Sequence, residues 1–239
     1  MELFAEQGGR DRLFPVQRAF EIVPGAAGTV TFVDSAAQVL QAFSTSVTLD
    51  LPTGRQNGDI AVMAVMGRNT PNTPAGWTEQ ASQDIVDGGT TQRLRWYTRI
   101  LDGTEGTTVT VTQNAAQRLL GQIMVLRSSS GNFAVTVQEE DNGFQASGST
   151  FETGPIPTQA EPGVLCLAFT SIQVSGVTTL EIESQYTQIS PTAISSNRLC
   201  VAYLQVDADF ADTRVDYTTT TNPNANRGMA WIYIRVSAA

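Results

Sequence analysis

Four blocks of this chain recur in the same order after about 105 to 109 residues, and that repetition limits the folds open to it. Gly58-Asp59-Ile60-Ala61-Val62-Met63-Ala64 lines up with Gly163-Val164-Leu165-Cys166-Leu167-Ala168-Phe169, and Trp77-Thr78-Glu79-Gln80 with Tyr186-Thr187-Gln188-Ile189. Arg93-Leu94 pairs with Arg198-Leu199, each opening a run that carries aromatics (Trp96 and Tyr97; Tyr203). Arg118 to Val125 stands opposite Arg227 to Ile234. Such a period is too long for a solenoid and points to two similar halves. No Pro/Gly/Ser-rich linker separates them, which favours one body over residues 28–239, with repeats near 45–130 and 150–236.

The blocks are β in character. Val, Ile, Thr, Tyr and Phe alternate with polar residues in short runs, as strands with one buried face require. Strands are expected at 29–33, 46–51, 59–66, 92–101, 107–112 and 118–127. In the second half they are expected at 164–170, 186–190, 198–206, 214–218 and 229–236. Asp87-Gly88-Gly89, Asp102-Gly103, Ser130-Gly131-Asn132 and Asn142-Gly143 read as turns between them. The clearest helix-like stretch, Ser35–Phe43, is short. The expectation is an all-β, jelly-roll-like β-sandwich built from two similar halves.

Residues 1–27 differ from the rest. They mix charges with isolated Leu3, Phe4, Leu13, Phe14 and Phe20, without a sustained period, before Pro24-Gly25-Ala26-Ala27-Gly28 breaks the chain. Three phenylalanines suit an N-terminal arm that packs on a partner better than a solvated tail. No basic segment leads into an apolar one at the start, so no secretory signal is expected. The longest apolar run, Ile60 to Met66, is far short of the ~20 residues of a membrane helix, so no membrane insertion is expected.

Composition removes much of the enzyme catalogue. There is no His, and all 14 basic residues are Arg. Ser-His-Asp and Cys-His arrangements and His-based zinc sites are therefore excluded, as are a P-loop lysine, a Schiff base and a pyridoxal anchor. The net charge of −9 supplies phosphate contacts poorly, so no nucleic-acid partner is expected. A protein without enzymatic activity, catalytic residues or cofactor is expected, with a glycosidase built on two of the 23 carboxylates as the weakest rival.

The first half carries a string that resembles a broad family of β-sandwich modules in structural proteins of tailed bacteriophages and prophages. Gly58-Asp59-Ile60 opens an apolar strand, Pro74-Ala75-Gly76-Trp77-Thr78 follows, and Arg93-Leu94-Arg95-Trp96-Tyr97 comes next. A final apolar strand ends Val125-Leu126-Arg127. The resemblance covers about residues 45–130 and, more faintly, the second half, where Val164 follows Gly163 and no Pro-Ala-Gly-Trp precedes Thr187. It implies a virion protein, tail-fibre, tail-tip or head-decorating in type, anchored by its N-terminal arm and bound to other virion proteins. Homo-oligomerisation is expected from virion geometry.

Several groups are candidate sites. Arg93, Arg95, Tyr97 and Arg99 alternate with Leu94, Trp96, Thr98 and Ile100, so one strand face is cationic and the other apolar. That face is either solvent-exposed and balanced by cross-strand acids, or a contact surface for a subunit or an anionic glycan. The interface residues expected are thus Phe4, Phe14, Phe20, Arg93, Arg95 and Arg99. Trp77, Trp96, Tyr97, Tyr186 and Tyr203 are core aromatics or, in the alternative of a glycan-binding adhesion module, platforms for sugar rings. Asp207, Asp209 and Asp212, like Glu139-Glu140-Asp141, read as acidic turns before metal sites, since neither has EF-hand spacing. Cys166 and Cys200 are buried thiols or, if adjacent, a bridge.

Overall fold

A computed structural model describes residues 28–87, 90–145, 150–152, 162–172, 180–182, 185–191, 199–206, 216–219 and 227–239. Among them every regular element is a strand, and every pairing is antiparallel. The first half contributes β1 (Val30–Ser35), β2 (Val39–Asp50), β3 (Ile60–Gly67), β4 (Thr78–Asp87), β5 (Thr90–Ile100) and β6 (Thr108–Ser128). The second contributes β7 (Ala134–Gln145), β8 (Thr150–Glu152), β9 (Gly163–Ile172), β10 (Leu180–Ile182), β11 (Thr187–Gln188), β12 (Leu199–Val206), β13 (Asp216–Thr219) and β14 (Arg227–Ser237).

The two main sheets have the same strand order. The first runs β1-β6-β3-β5-β4 and the second β7-β14-β9-β12-β11, so each strand of one has a counterpart in the other. Along the outer edge of β6, β1 and β2 follow one another antiparallel, joined at 36–38. In the same way β7 pairs β14, while β8 pairs β13 in a small sheet with β10.

Alternation explains how the sheets stack. On β3, Ile60, Val62, Ala64 and Met66 face the second sheet, joined by Leu94 and Trp96 of β5 and Leu120, Met124 and Leu126 of β6. Val164, Cys166, Ala168, Leu199, Val201, Ile232, Ile234 and Val236 meet them from the other side. This is a β-sandwich, two antiparallel sheets over one shared core and not closed into a barrel. The Trp96 indole N–H crosses the seam to the Ile232 carbonyl (3.3 Å), and Phe32 stacks on Tyr203 at 4.2 Å between centroids. Some contacts across the seam are matched: β5 packs on β9 as β12 packs on β3, and β5 on β14 as β12 on β6, while the broader packing of β4 on β14 and β7 is not matched to that extent by the two-residue β11.

Each sheet also has a covered outer face. In the first half, β2 and the start of β6 fold over it, bringing Val47, Leu49 and Val111 onto Ala61, Met63, Val65, Tyr97 and Ile123. Bulges between Gln41 and Ser46 give β2 the bend this needs. Leu49 fits because Gly121 has no side chain: a Cβ there would lie 2.5 Å from Leu49 Cδ1. The first strand starts beside the end of the last, where a Cβ on Gly28 would lie 2.9 Å from that of Ala238.

Four expectations need correction. Ser35–Phe43 is not a helix but the joint between β1 and β2; tertiary pairing with β6 overrides a weakly helical pattern. Thr107–Thr112 and Arg118–Arg127 are one long strand, β6. Asn142-Gly143 is not a turn but part of β7, opposite Ala230 and Met229, where a sheet edge tolerates the acidic run before it. The repeat, finally, is offset by one residue in two blocks. The faces require Ile60 to match Val164, not Leu165, and Leu126 to match Val236, because Leu165 lies on the outer face. The pairing agrees: Met66 opposes Leu94, and Thr170 opposes Leu199. A one-residue slip in a strand exchanges its faces, so this difference is structural.

Candidate functional site

The family-like string converges on the first sheet. Gly58 turns the chain with φ of 89°, a left-handed value natural to glycine, and delivers Asp59 to the start of β3. Asp59 is 2% exposed. Its carboxylate accepts from Arg127 Nε (2.7 Å) and Nη2 (2.8 Å), and from the Gln56 backbone N–H (2.7 Å). The bidentate fork fixes where β3 begins relative to the end of β6, and the hydrogen bonds that Arg127 donates to Asp59 hold its guanidinium more firmly protonated. The Asp59 and Arg127 positions fall at Gly163 and Ser237 in the second half, so the ion pair has no counterpart there.

Pro74-Ala75-Gly76-Trp77 crosses the outer face. Gly76 has φ of 79°, and a Cβ there would lie 2.9 Å from Arg99 Nη1, so the turn rests directly on that guanidinium. Trp77 is buried in the outer cluster with Tyr97, whose hydroxyl donates to the Pro71 carbonyl (3.2 Å). Burial, and then the Glu79 charge, push the Tyr97 hydroxyl well above its ordinary range.

Arg93, Arg95, Tyr97 and Arg99 do share one face of β5, the outer one, and Leu94 and Trp96 the inner. The arginines are held by acids of the same sheet and its loops. Arg95, 7% exposed, binds Asp84 at 2.6 Å and stands 3.7 Å from Glu79, both on the neighbouring β4. Arg93 contacts Asp84 at 3.5 Å and donates to the Arg68 carbonyl. Arg99 pairs with Glu105 at 3.3 Å. Glu105 also accepts the N–H groups of Asp102 (2.8 Å) and Gly103 (3.0 Å), closing the β5–β6 turn. The Thr104 hydroxyl and N–H hold the Asp102 carboxyl below its ordinary range. Arg55 ties the next loop by donating to the carbonyls of Leu51, Pro52 and Gly106.

The aromatic candidates are also engaged. Trp96 and Tyr97 are fully buried, Trp77 and Tyr186 nearly so, and Tyr203 is stacked on Phe32. Cys166 and Cys200 are both free and buried on opposite faces of the second sheet, so they are not bridged. Burial pushes the Cys200 thiol up to about 12 and the Cys166 thiol higher still. Phe4, Phe14, Phe20, Arg198, Asp207, Asp209 and Asp212 lie outside the described residues, as do the side chains of Glu139, Glu140 and Asp141. Among the described residues no three His, Cys, Asp or Glu side chains group to hold a metal ion, and no helix is long and apolar enough to cross a membrane.

The sequence left one pair of residues unremarked. Arg68 and Arg118 meet where β3 leaves the sheet, and among the described residues no ion pair forms at either. Their isolation from acidic neighbours in sequence is the only signal that marks them.

Fold and site together define an all-β sandwich in which the Gly58–Arg127 string serves the scaffold. No family model, curated protein or solved structure matches the chain.

Proposed function

We propose that the chain is a non-enzymatic structural component of a tailed-phage particle, tail- or fibre-associated or capsid-decorating. Its first 27 residues are the proposed attachment to neighbouring virion proteins, and its sandwich the rigid body they hold, in copies arranged by the symmetry of the particle. The observation that carries this reading is the use made of the phage-like string. Gly58, Asp59, Gly76, Trp77, Arg95 and Arg127 all serve the packing or ion pairing of the first sheet. Residues that carry the resemblance thus act as scaffold, which is what the family implies. The glycan-binding alternative gains nothing, because the five aromatics offered as sugar platforms are buried or already stacked.

Antibody raised against the purified chain tests the proposal on density-purified phage particles from its source. Gold label fixed to tails or heads, in regular copy number, is the expected result. Particles that lack the chain by immunoblot overturn it.

A further inference from the structure

One corner of the first sheet breaks the pattern in which each arginine finds acceptors. Just past β3, Arg68 donates its backbone N–H to the Arg118 carbonyl of β6 (3.0 Å), which sets the two residues side by side. Elsewhere among the described residues, Arg55 is bound by three carbonyls, and Arg93, Arg95, Arg99 and Arg127 by carboxylates. At this corner no carboxylate of the described residues pairs with either guanidinium. Nε of Arg68 and both Nε and Nη1 of Arg118 are buried without a hydrogen-bond partner. Burial, and then the charge of Arg68, weaken the hold of Arg118 on its proton. Arg93 reaches the same strand end from the outer face, donating from Nη1 to the Arg68 carbonyl (2.8 Å), and its charge is met by Asp84, which it shares with Arg95.

Two adjacent like charges with buried, unused donors are costly in isolation, since an unmet buried donor forfeits its hydration and like charges repel. An oxyanion removes both costs, because planar guanidinium forks match oxygen pairs and hold them by charge-assisted hydrogen bonds. We propose that Arg68 and Arg118 together form a binding site for a small tetrahedral oxyanion, sulfate or phosphate. The site does not depend on the virion assignment. It stands on the pairing of two strands within the first sheet.

Titration calorimetry tests it, with sodium phosphate and sodium sulfate added separately to the full chain in chloride buffer at constant ionic strength. Saturable binding of one anion per chain is expected, weakened about tenfold or more by Arg118→Gln and by Arg68→Gln. In chloride alone, each variant should melt no lower than the parent chain, because one of two repelling charges is gone. Absence of saturable binding by both anions overturns the proposal, and so does a variant that binds as tightly as the parent. Should Arg118→Gln fail to fold, Arg68→Gln alone carries the comparison.

Discussion

The two halves share a strand order but secure it by different chemistry. The first sheet covers its outer face with a twelve-residue β2 and fixes its ends with charges: Asp59 to Arg127, Arg95 to Asp84, Arg99 to Glu105. The second, whose β8 is three residues long, fills its outer face from within the sheet. Leu165, Leu167, Phe169, Trp231 and Tyr233 stand where the first half has Ala61, Met63, Val65, Gly121 and Ile123. Arg95, Tyr97 and Arg99 fall opposite Cys200, Ala202 and Leu204. A long covering strand goes with small residues beneath it, and a short one with bulk. Beneath the long cover, Arg95 and Arg99 are held against the sheet by carboxylates.

The widest test of this contrast asks whether the halves are one cooperative unit. Trp96→Ala removes a fully buried ring and the bond across the seam, and should cost about 3–5 kcal/mol. Urea unfolding followed by far-UV circular dichroism and by the remaining tryptophans should give one shared transition. Two separated transitions would mean that the halves stand independently.

A smaller effect tests the ionic side. Asp59→Asn keeps the shape but removes the charge that anchors the start of β3, with an expected loss of about 2 kcal/mol in the same assay. An unchanged midpoint would reduce the Asp59–Arg127 pair to decoration.

The finest test concerns the apolar side. Both thiols have folded pKa values above the ordinary value of 9.0, so their protonated form is favoured by folding. Their stabilisation is complete below pH 9 and falls away as pH rises towards 12, because the unfolded chain sheds its thiol protons first. A disulfide-exchanging thiol reagent at pH 8 should find neither cysteine in the native protein and both in denaturant. Rapid native reaction would show that the second sheet is open where it is described as packed.

How far this was legible in the sequence depended on the side chains. β3 and β9 were clear as continuous apolar runs and β5 by its alternation, which also divides it into a cationic and an apolar face. Trp77 and Tyr186, aligned by sequence, do occupy matching outer positions. β4 (TEQASQDIVD) and β7 (AVTVQEEDNGFQ) were missed because edge strands are polar and lack a clean period. The repeat was visible, yet its register was not: apolar runs buried on both faces, such as Ile60–Met66, align equally well one residue either way. Asp59 and Arg127 were both in the quoted string, but their 68-residue separation hid the bond between them. The Arg68–Arg118 corner depends on which strands become neighbours, which no local pattern carries.

Gly28 and Ala238 sit together, so the two ends of the described body share one pole. A short linker from Ala239 to Gly28 would close the sandwich into a ring, and new termini opened at Ser130-Gly131-Asn132, where nothing lies within 4 Å of a Cβ on Gly131, would exchange the order of the halves without cutting a strand. Such a circular permutant keeps every strand pairing and should fold.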